Sequence, residues 1–310
     1  MSEDGREKTL EREGKERQRV RERHNDERMP RWLHRPIQAD RGMREVDALL
    51  RRLDLHTVCE SAKCPNRMEC FSRRTATFML LGDTCTRNCA FCGVAKGVPA
   101  APDAGEPERV AEAAAQLGLE HVVITSVTRD DLGDGGASLF AAAVRAVKAR
   151  LPGATVEVLT PDFRGDLRAL RLVLGAGPDI FNHNLETVEG LYERARPGAD
   201  YRRSLALLET AKNEGMGVST KSGIMVGLGE TREQLRALFR DLAEVGCDML
   251  TIGQYLRPSR AQLKVDRFLS PREFAELARE AEEAGIPLVA SAPFVRSSYR
   301  AGELWQSACM

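Results

Sequence analysis

No run of apolar residues in this sequence approaches the roughly 20 needed to span a bilayer, so no membrane span is expected. The opening MSEDGREKTLEREGK has no apolar segment of the kind a secretory signal carries, and a cytoplasmic location is the expectation. Neither sign of charge is in excess, with 46 Lys and Arg against 46 Asp and Glu. The chain as a whole therefore offers no field to draw nucleic acid or an anionic membrane. No G-x-G-x-x-G follows the first predicted strand, so the usual mark of a dinucleotide-binding open sheet is missing. Each cysteine cluster also lacks a fourth member. Six of the eight cysteines fall in two groups of three, whereas structural zinc takes four protein ligands.

What is present is the composition of a soluble globular enzyme, 42% apolar and 30% charged. At 310 residues the chain can bury the core of one large domain or two smaller ones. In a reducing cytoplasm, clustered thiols bind metal more often than they form disulfides. Cys247 and Cys309 stand apart from the clusters and read as a small buried residue and a terminal one.

Residues 1–28 are a dense mixture of Arg, Lys, Glu and Asp, expected to be a disordered tail or a solvated helix because so little apolar surface is available to offset ordering. Pro30, Trp32 and Pro36 predict an extended segment, and VDALLRRLDLHTVC carries apolar residues at helical spacing. Strands are predicted at 76–82, 121–127, 155–161, 179–185, 217–228 and 248–256. Helical patterns separate them, such as ERVAEAAAQLGL and EQLRALFRDLAEVG, and SPREFAELAREAEEAG is the last. Strands joined by helical crossovers pair in parallel, and nearly continuous apolar strands are buried on both faces. Both a doubly wound sheet and an α/β barrel satisfy this. Some six repeats without the glycine signature favour the barrel, whose chemistry sits on loops at the C-terminal ends of strands. The predicted organisation is a tail at 1–28, an extension at 29–75 carrying the first cysteine triplet, a barrel at 76–265, and a C-terminal helix and extension at 266–310.

CTRNCAFC, immediately after the first strand, gives Cys85, Cys89 and Cys92 at C-x3-C-x2-C. Zinc more commonly takes paired C-x2-C knuckles. A 4Fe–4S cluster has one ligand per iron, so three cysteines leave one iron open. CESAKCPNRMEC gives Cys59, Cys64 and Cys70 at C-x4-C-x5-C, which taken alone fits a zinc site, three buried thiols or a second iron–sulfur centre.

The loop with aromatic Phe91 before its third cysteine resembles the radical S-adenosylmethionine superfamily, and SGIMVGLGE resembles its glycine segment, from Gly223 through Gly227 to Glu230, with Met225 replacing an isoleucine. The resemblance implies a partial (β/α)6 TIM-type barrel whose mouth is closed by the N- and C-terminal extensions. It also implies that the open iron chelates S-adenosylmethionine and that reductive cleavage yields a 5′-deoxyadenosyl radical. Such a radical needs a water-excluding site.

The upstream triplet, with TSVTRDDLGDGGA, PDFRGD, FNHNLETV, RPGADY, GQYLRPS and APFVRSSY in order, is similar to the lipoyl synthase family. That resemblance implies two 4Fe–4S clusters, with Ser298 of Arg296-Ser297-Ser298-Tyr299 as the fourth ligand of the auxiliary one. It implies insertion of two sulfur atoms, taken from the auxiliary cluster, at C6 and C8 of an octanoyl group. The octanoyl carrier would be a lysine of a 2-oxoacid dehydrogenase lipoyl domain or of the glycine-cleavage H protein. An electron donor and an iron–sulfur cluster carrier are further implied partners. General-base catalysis does not serve these carbons, which have no acidic proton.

Thr125, Ser126, Asn182, Asn184 and Glu186 fall at predicted strand ends facing the mouth and are candidates for holding the methionine carboxylate and ribose hydroxyls. Strand alternation predicts that Asn182, Asn184 and Glu186 share a face while His183 turns away. His183 is read as structural, with a ligand or acid role as the alternative. Arg129, Asp130 and Asp131 are read either as helix caps or loop ion pairs or as substrate or cofactor contacts, and Lys221 as the partner of a carboxylate. A different class of protein, stabilised by zinc with both triplets structural, predicts a colourless preparation. The iron–sulfur reading predicts a brown one with about eight irons.

Overall fold

The computed structural model describes residues 29–35, 41–215 and 217–308. The charged tail at 1–28, Pro36 and Cys309 lie outside the described residues. The chain divides into two units at Pro36. In the first, Arg31–Leu33 form a short 3-10 turn and His34 Nε2 lies 3.1 Å from the Met29 carbonyl.

The second unit begins with α1 (Arg41–Arg52), β1 (His56–Thr57), α2 (Val58–Ser61) and α3 (Arg67–Ser72). Helical spacing in VDALLRRLDLHTVC thus gives way at His56 to a strand, because that backbone pairs antiparallel with β2 (Thr77–Leu80). A small ribbon, β3 (Thr84–Cys85) with β4 (Ala95–Lys96), follows. From there α4 (Glu106–Leu117), β5 (His121–Ser126), α5 (Ala137–Arg150), β6 (Thr155–Leu159), α6 (Leu167–Leu174) and β7 (Ile180–Asn182) alternate. Next come α7 (Tyr192–Ala195), α8 (Tyr201–Glu214), β8 (Ser219–Val226), α9 (Arg232–Glu244), β9 (Met249–Gln254), α10 (Pro271–Glu283), β10 (Leu288–Ser291) and α11 (Ala301–Ala308).

The main sheet has the order β1-β2-β5-β6-β7-β8-β9-β10, parallel throughout except for β1. Six strand–helix units therefore wind from β2 to α10, as expected. Among the described residues β1 and β10 are the two edges and do not pair with each other, so the barrel is partial. The sheet also runs past residue 265, where the sequence reading ended the barrel. PLVAS supplies a seventh parallel strand, β10, paired with β9. Its four residues are only half-buried, which muted the signal. Helix starts follow local chemistry: Thr231 with Gln234, and Ser270 with Glu273, form reciprocal capping boxes at α9 and α10.

Strands β2 and β9 are buried along their whole length. A buried carboxylate and its partners form a polar network in that interior. Lys221 on β8 and Glu157 on β6 are both 0% exposed, and the Lys221 Nζ lies 2.9 Å from each Glu157 oxygen. Asn182 Nδ2 donates to Glu157 Oε1 at 2.7 Å, and His121 Nε2 lies 3.3 Å from Oε2. Burial alone would raise the Glu157 pKa, but Lys221 and His121 outweigh it and hold the carboxyl well below its usual range. A depressed folded-state value means the stabilisation is complete above the ordinary 4.5 and is lost as pH falls through the lower folded value. Replacing Lys221 with methionine strands the buried carboxylate, and the unfolding free energy measured in urea should fall by about 3–5 kcal/mol. Changing Glu157→Leu together with Lys221→Met should cost less than the single change; an equal or larger cost would contradict this account of the pair.

Candidate active site

The loop bearing Cys85, Cys89 and Cys92 starts at the C-terminal end of β2 and is held from several directions. Thr86 N–H donates to the Thr128 carbonyl at 3.0 Å, Ala90 N–H to the Ala195 carbonyl at 2.8 Å, and Leu263 N–H to the Ala90 carbonyl at 2.9 Å. Arg87, between the first two cysteines, donates through Nε and Nη2 to Asp130 at 2.7 and 2.9 Å, and through Nη2 to Asp162 at 2.6 Å. Asp162 also accepts from Arg203 Nε at 2.8 Å. Burial by itself would lower the Arg87 pKa, yet these carboxylates raise it. Asp162 is correspondingly held far below the carboxylate range despite its own burial. The blocks TSVTRDDLGDGGA, PDFRGD, RPGADY and GQYLRPS thus lead into contacts that fix one loop.

The three thiols are free and line a cavity of about 320 Å³ at the barrel mouth. Cys85 Sγ accepts from Thr128 N–H at 3.3 Å and Arg87 N–H at 3.4 Å. Burial pushes the Cys92 thiol up to about 12 and raises Cys89 also, so without a metal charge beside them these thiols stay protonated. A coordinating cation reverses this, because a metal-bound thiol is deprotonated.

The other triplet lines a second cavity of about 340 Å³. Cys59 sits on α2, whose N-cap Thr57 accepts from Glu60 N–H, Cys64 in the following turn, and Cys70 on α3. Ser298 lines the same cavity, which extends to the N-terminal ends of β2 and β5. Cys59, Cys64 and Ser298 line both cavities. The neighbouring Ser297 lines the first cavity, and its hydroxyl donates to Asn184 Oδ1 at 2.5 Å. Among the described residues no three His, Cys, Asp or Glu side chains converge as they would on one metal ion. Three thiols lining one cavity are the donor type that a 4Fe–4S cluster takes, one thiolate per iron. The donor sets therefore fit two such clusters.

Among the other predicted contacts, Phe91, Thr125, Ser126, Asn184, Glu186 and Gly223 line the mouth cavity. The Ser126 hydroxyl is buried and has no hydrogen-bond partner among the described residues, so it is available to a ligand. Thr125 Oγ1 donates to the Leu159 carbonyl at 2.9 Å. Asn184 Nδ2 donates to Glu186 Oε1 at 3.1 Å, and burial pushes the Glu186 carboxyl up against the lowering effect of Arg196. A Cβ on Gly223 would lie 2.4 Å from Ser297 Oγ and 2.8 Å from Asn184 Oδ1, so only glycine admits this approach.

Two candidates lie away from the mouth cavity. Asn182 is not among the residues lining the mouth cavity; it is wholly buried on the Glu157 carboxylate. β7 ends at Asn182, so strand alternation stops there, and His183, Asn184 and Glu186 all reach the cavity wall. Gly227 is likewise absent from that lining. Its φ of +94° and the Arg267 carbonyl, 2.4 Å from where a Cβ would lie, explain the glycine. Glu230 turns back to accept from Gly227 N–H and Leu228 N–H. His183 Nδ1 donates to the Thr160 carbonyl at 2.8 Å, and burial, with Arg196 nearby, lowers its pKa to about 4, which favours the neutral ring. Arg129 pairs with Asp131 at 2.8 Å and Lys221 with Glu157, both ion-pair roles.

Sequence reading did not single out Arg87 or Arg196. Arg196 lines the mouth cavity and donates to the Asn184 and Leu185 carbonyls at 2.8 and 3.1 Å. Its place at the head of RPGADY was the available signal, whereas Arg87, with partners 43 and 75 residues away, had none. Arg87→Ala leaves Asp162 buried with one cation fewer. A stability loss of about 3–5 kcal/mol is expected in urea unfolding, with only partial recovery in Arg87→Lys, because a lysine cannot serve both carboxylates in fork geometry. Full recovery in the lysine variant would refute the fork argument.

A three-thiol loop at the open mouth of a six-unit partial barrel defines the radical S-adenosylmethionine class, and the model of the radical SAM superfamily matches residues 79–242. The model of the N-terminal domain of lipoyl synthase of the radical SAM family matches residues 1–64. Lipoyl synthase of Methylococcus capsulatus is 57% identical over 277 residues, covering 89% of this chain and 86% of the relative. That of Nitratidesulfovibrio vulgaris strain Hildenborough is 54% identical over 282 residues, covering 91% and 94%. The chain belongs to the lipoyl synthase family. Solved structures share the fold at low identity. A methylornithine synthase superposes with a TM-score of 0.52 at 17% identity, covering 80% of this chain and 74% of that one. A maturase of the [FeFe]-hydrogenase gives 0.54 at 14%, covering 79% and 64%.

Proposed function

We infer that this chain carries out the lipoyl synthase reaction, placing two sulfur atoms at C6 and C8 of an octanoyl group attached to a lysine of a lipoyl carrier domain. The observation that carries the reading is the adjoining pair of cavities, one with each cysteine triplet, sharing a wall of Cys59, Cys64 and Ser298. When bound, the two clusters and S-adenosylmethionine supply a carbon radical strong enough to take unactivated hydrogens and the sulfide that replaces them.

The residues divide the work. Cys85, Cys89 and Cys92 hold the radical cluster and leave its fourth iron to S-adenosylmethionine. Cys59, Cys64, Cys70 and Ser298 hold the auxiliary cluster. A serine oxygen is a poorer ligand than thiolate for a soft centre, which suits a cluster that is consumed. Ser126, with its buried hydroxyl, together with Thr125, Asn184, Glu186, Gly223 and Phe91, positions S-adenosylmethionine. Apolar wall residues such as Val127, Leu159 and Ile224 exclude water from the reacting carbons. Within the second unit, residues 41–75 and 266–308 act as the extensions that close the mouth. The carriers are octanoylated lipoyl domains of 2-oxoacid dehydrogenases and the glycine-cleavage H protein. An electron donor and an iron–sulfur cluster carrier complete the partners, in the cytoplasm. No helix among the described residues is long and apolar enough to cross a membrane.

Anaerobic assays with an octanoyl-lysine peptide test the division. Cys64→Ala should abolish lipoyl product while retaining reductive cleavage of S-adenosylmethionine, and Cys89→Ala should abolish both. Lipoyl product from Cys64→Ala would sink the auxiliary assignment, and zinc in place of iron by elemental analysis would sink the whole reading. Mössbauer spectra of the iron-loaded protein separate the two serines. Ser298→Ala should perturb the auxiliary site more than Ser297→Ala, whose hydroxyl is turned to Asn184; the reverse order would move the ligand by one residue.

A further inference from the structure

Ser298 stands more than two hundred residues from the cysteines whose cavity it shares, on a segment following β10. Two side chains of CPNRMEC, between the second and third cysteines of that triplet, grip this segment on either side of it. Upstream of Ser298, Asn66 is 1% exposed and its Nδ2 donates to the Phe294 carbonyl at 2.7 Å. Downstream, Glu69 Oε1 accepts from the Tyr299 hydroxyl at 2.8 Å and from Arg300 Nη2 at 3.1 Å. Glu69 sits on α3 one residue before Cys70, so the same turn of helix presents a thiol to the cavity and a carboxylate to the segment that brings the serine.

We propose that Glu69 is a positioning residue, with Asn66 as its counterpart, that latches the 294–300 segment and thereby sets Ser298 against the auxiliary triplet. The inference rests on the reading of Ser298 as an auxiliary ligand. Arg300 and the Tyr299 hydroxyl are held by one carboxylate oxygen, so the latch combines a charge-assisted bond with a neutral one. Arg73, from the end of the same helix, lies 3.5 Å from Glu303 of α11, and Arg300 lies 3.5 Å from Glu303 as well, extending the grip past the serine. Glu69 keeps 29% of its side chain exposed, so its replacement leaves no buried hole. Three weak tethers at the edge of a cavity make a closure that is specific in register and cheap to open. That suits a cluster which must be rebuilt after each use.

The test uses the full chain with both clusters loaded anaerobically, in parent, Glu69→Ala, Glu69→Gln and Ser298→Ala forms. Hydrogen exchange of the amides at 292–300 is expected to quicken about tenfold in Glu69→Ala, the loss of roughly one charge-assisted hydrogen bond. It should quicken less in Glu69→Gln, which still accepts from Tyr299 but no longer pairs with Arg300. The auxiliary-iron Mössbauer signature of Glu69→Ala should shift toward that of Ser298→Ala, with the radical-site signature as the internal control. Unchanged exchange at 292–300 overturns the latch. So does a parent-like auxiliary signature in Glu69→Ala when Ser298→Ala alters it. If Ser298→Ala itself leaves that signature as in the parent, the ligand assignment fails, and the latch stands or falls on exchange alone.

Discussion

Arg87 lies between the first two cysteines of CTRNCAFC, and its guanidinium is clamped by Asp130 from the loop after β5 and Asp162 from the loop after β6. Asp162 in turn engages Arg203 on α8. Three loops are therefore joined through one cation, Arg87, and a helix is added through a second, Arg203. Removing charges from water is costly, and the arrangement holds only because both carboxylates meet the fork at hydrogen-bond distance. With Arg87 fixed, the loop on either side of it is fixed, and so is the direction in which Cys85 and Cys89 present their sulfurs to the mouth. Backbone bonds from Thr86, Ala90 and Leu263 complete the frame. The ligand role proposed for the three thiols would require this rigidity, since small misplacements are costly in any preorganised centre.

The barrel interior follows the same rule at greater depth. Glu157 and Lys221 are fully buried and satisfied by each other, with Asn182 donating to the same carboxylate. Polar residues pointing inward along β6, β7 and β8 divide by depth. Those within the strands close on one another, and those beyond the last residue of β7 reach the cavity. Asn182 and Asn184 are two residues apart and fall on opposite sides of that division.

Much of the fold was legible because its signals are local. Apolar strands alternating with amphipathic helices dictated parallel pairing, and six strand–helix units were countable before any coordinates. The half-buried β10 escaped notice because its sequence, short and following a helix end, carries no strong period. Cysteine spacing marked both triplets as candidates, and the members of each line a common cavity. Asn182 and Gly227 lie away from the cavity lining, a placement that a residue type near a strand end does not reveal. Arg87 and Glu69 were not singled out, because an isolated charged residue gives no sign of a partner tens to hundreds of residues away.

The sequence by itself determined which atoms are available, three thiols in each of two short stretches and a serine pair near the C-terminus, because ligand identity and short spacing are covalent facts. It also determined the order of strands and helices, because hydrophobic period is local. Tertiary structure alone decided that the two triplets share a cavity wall, that Ser298 and not Ser297 lines both cavities, and that Asn182 belongs to the core. Those outcomes depend on where chain closure puts side chains far apart in sequence, and burial, charge pairing and close packing set that closure for all parts of the chain together.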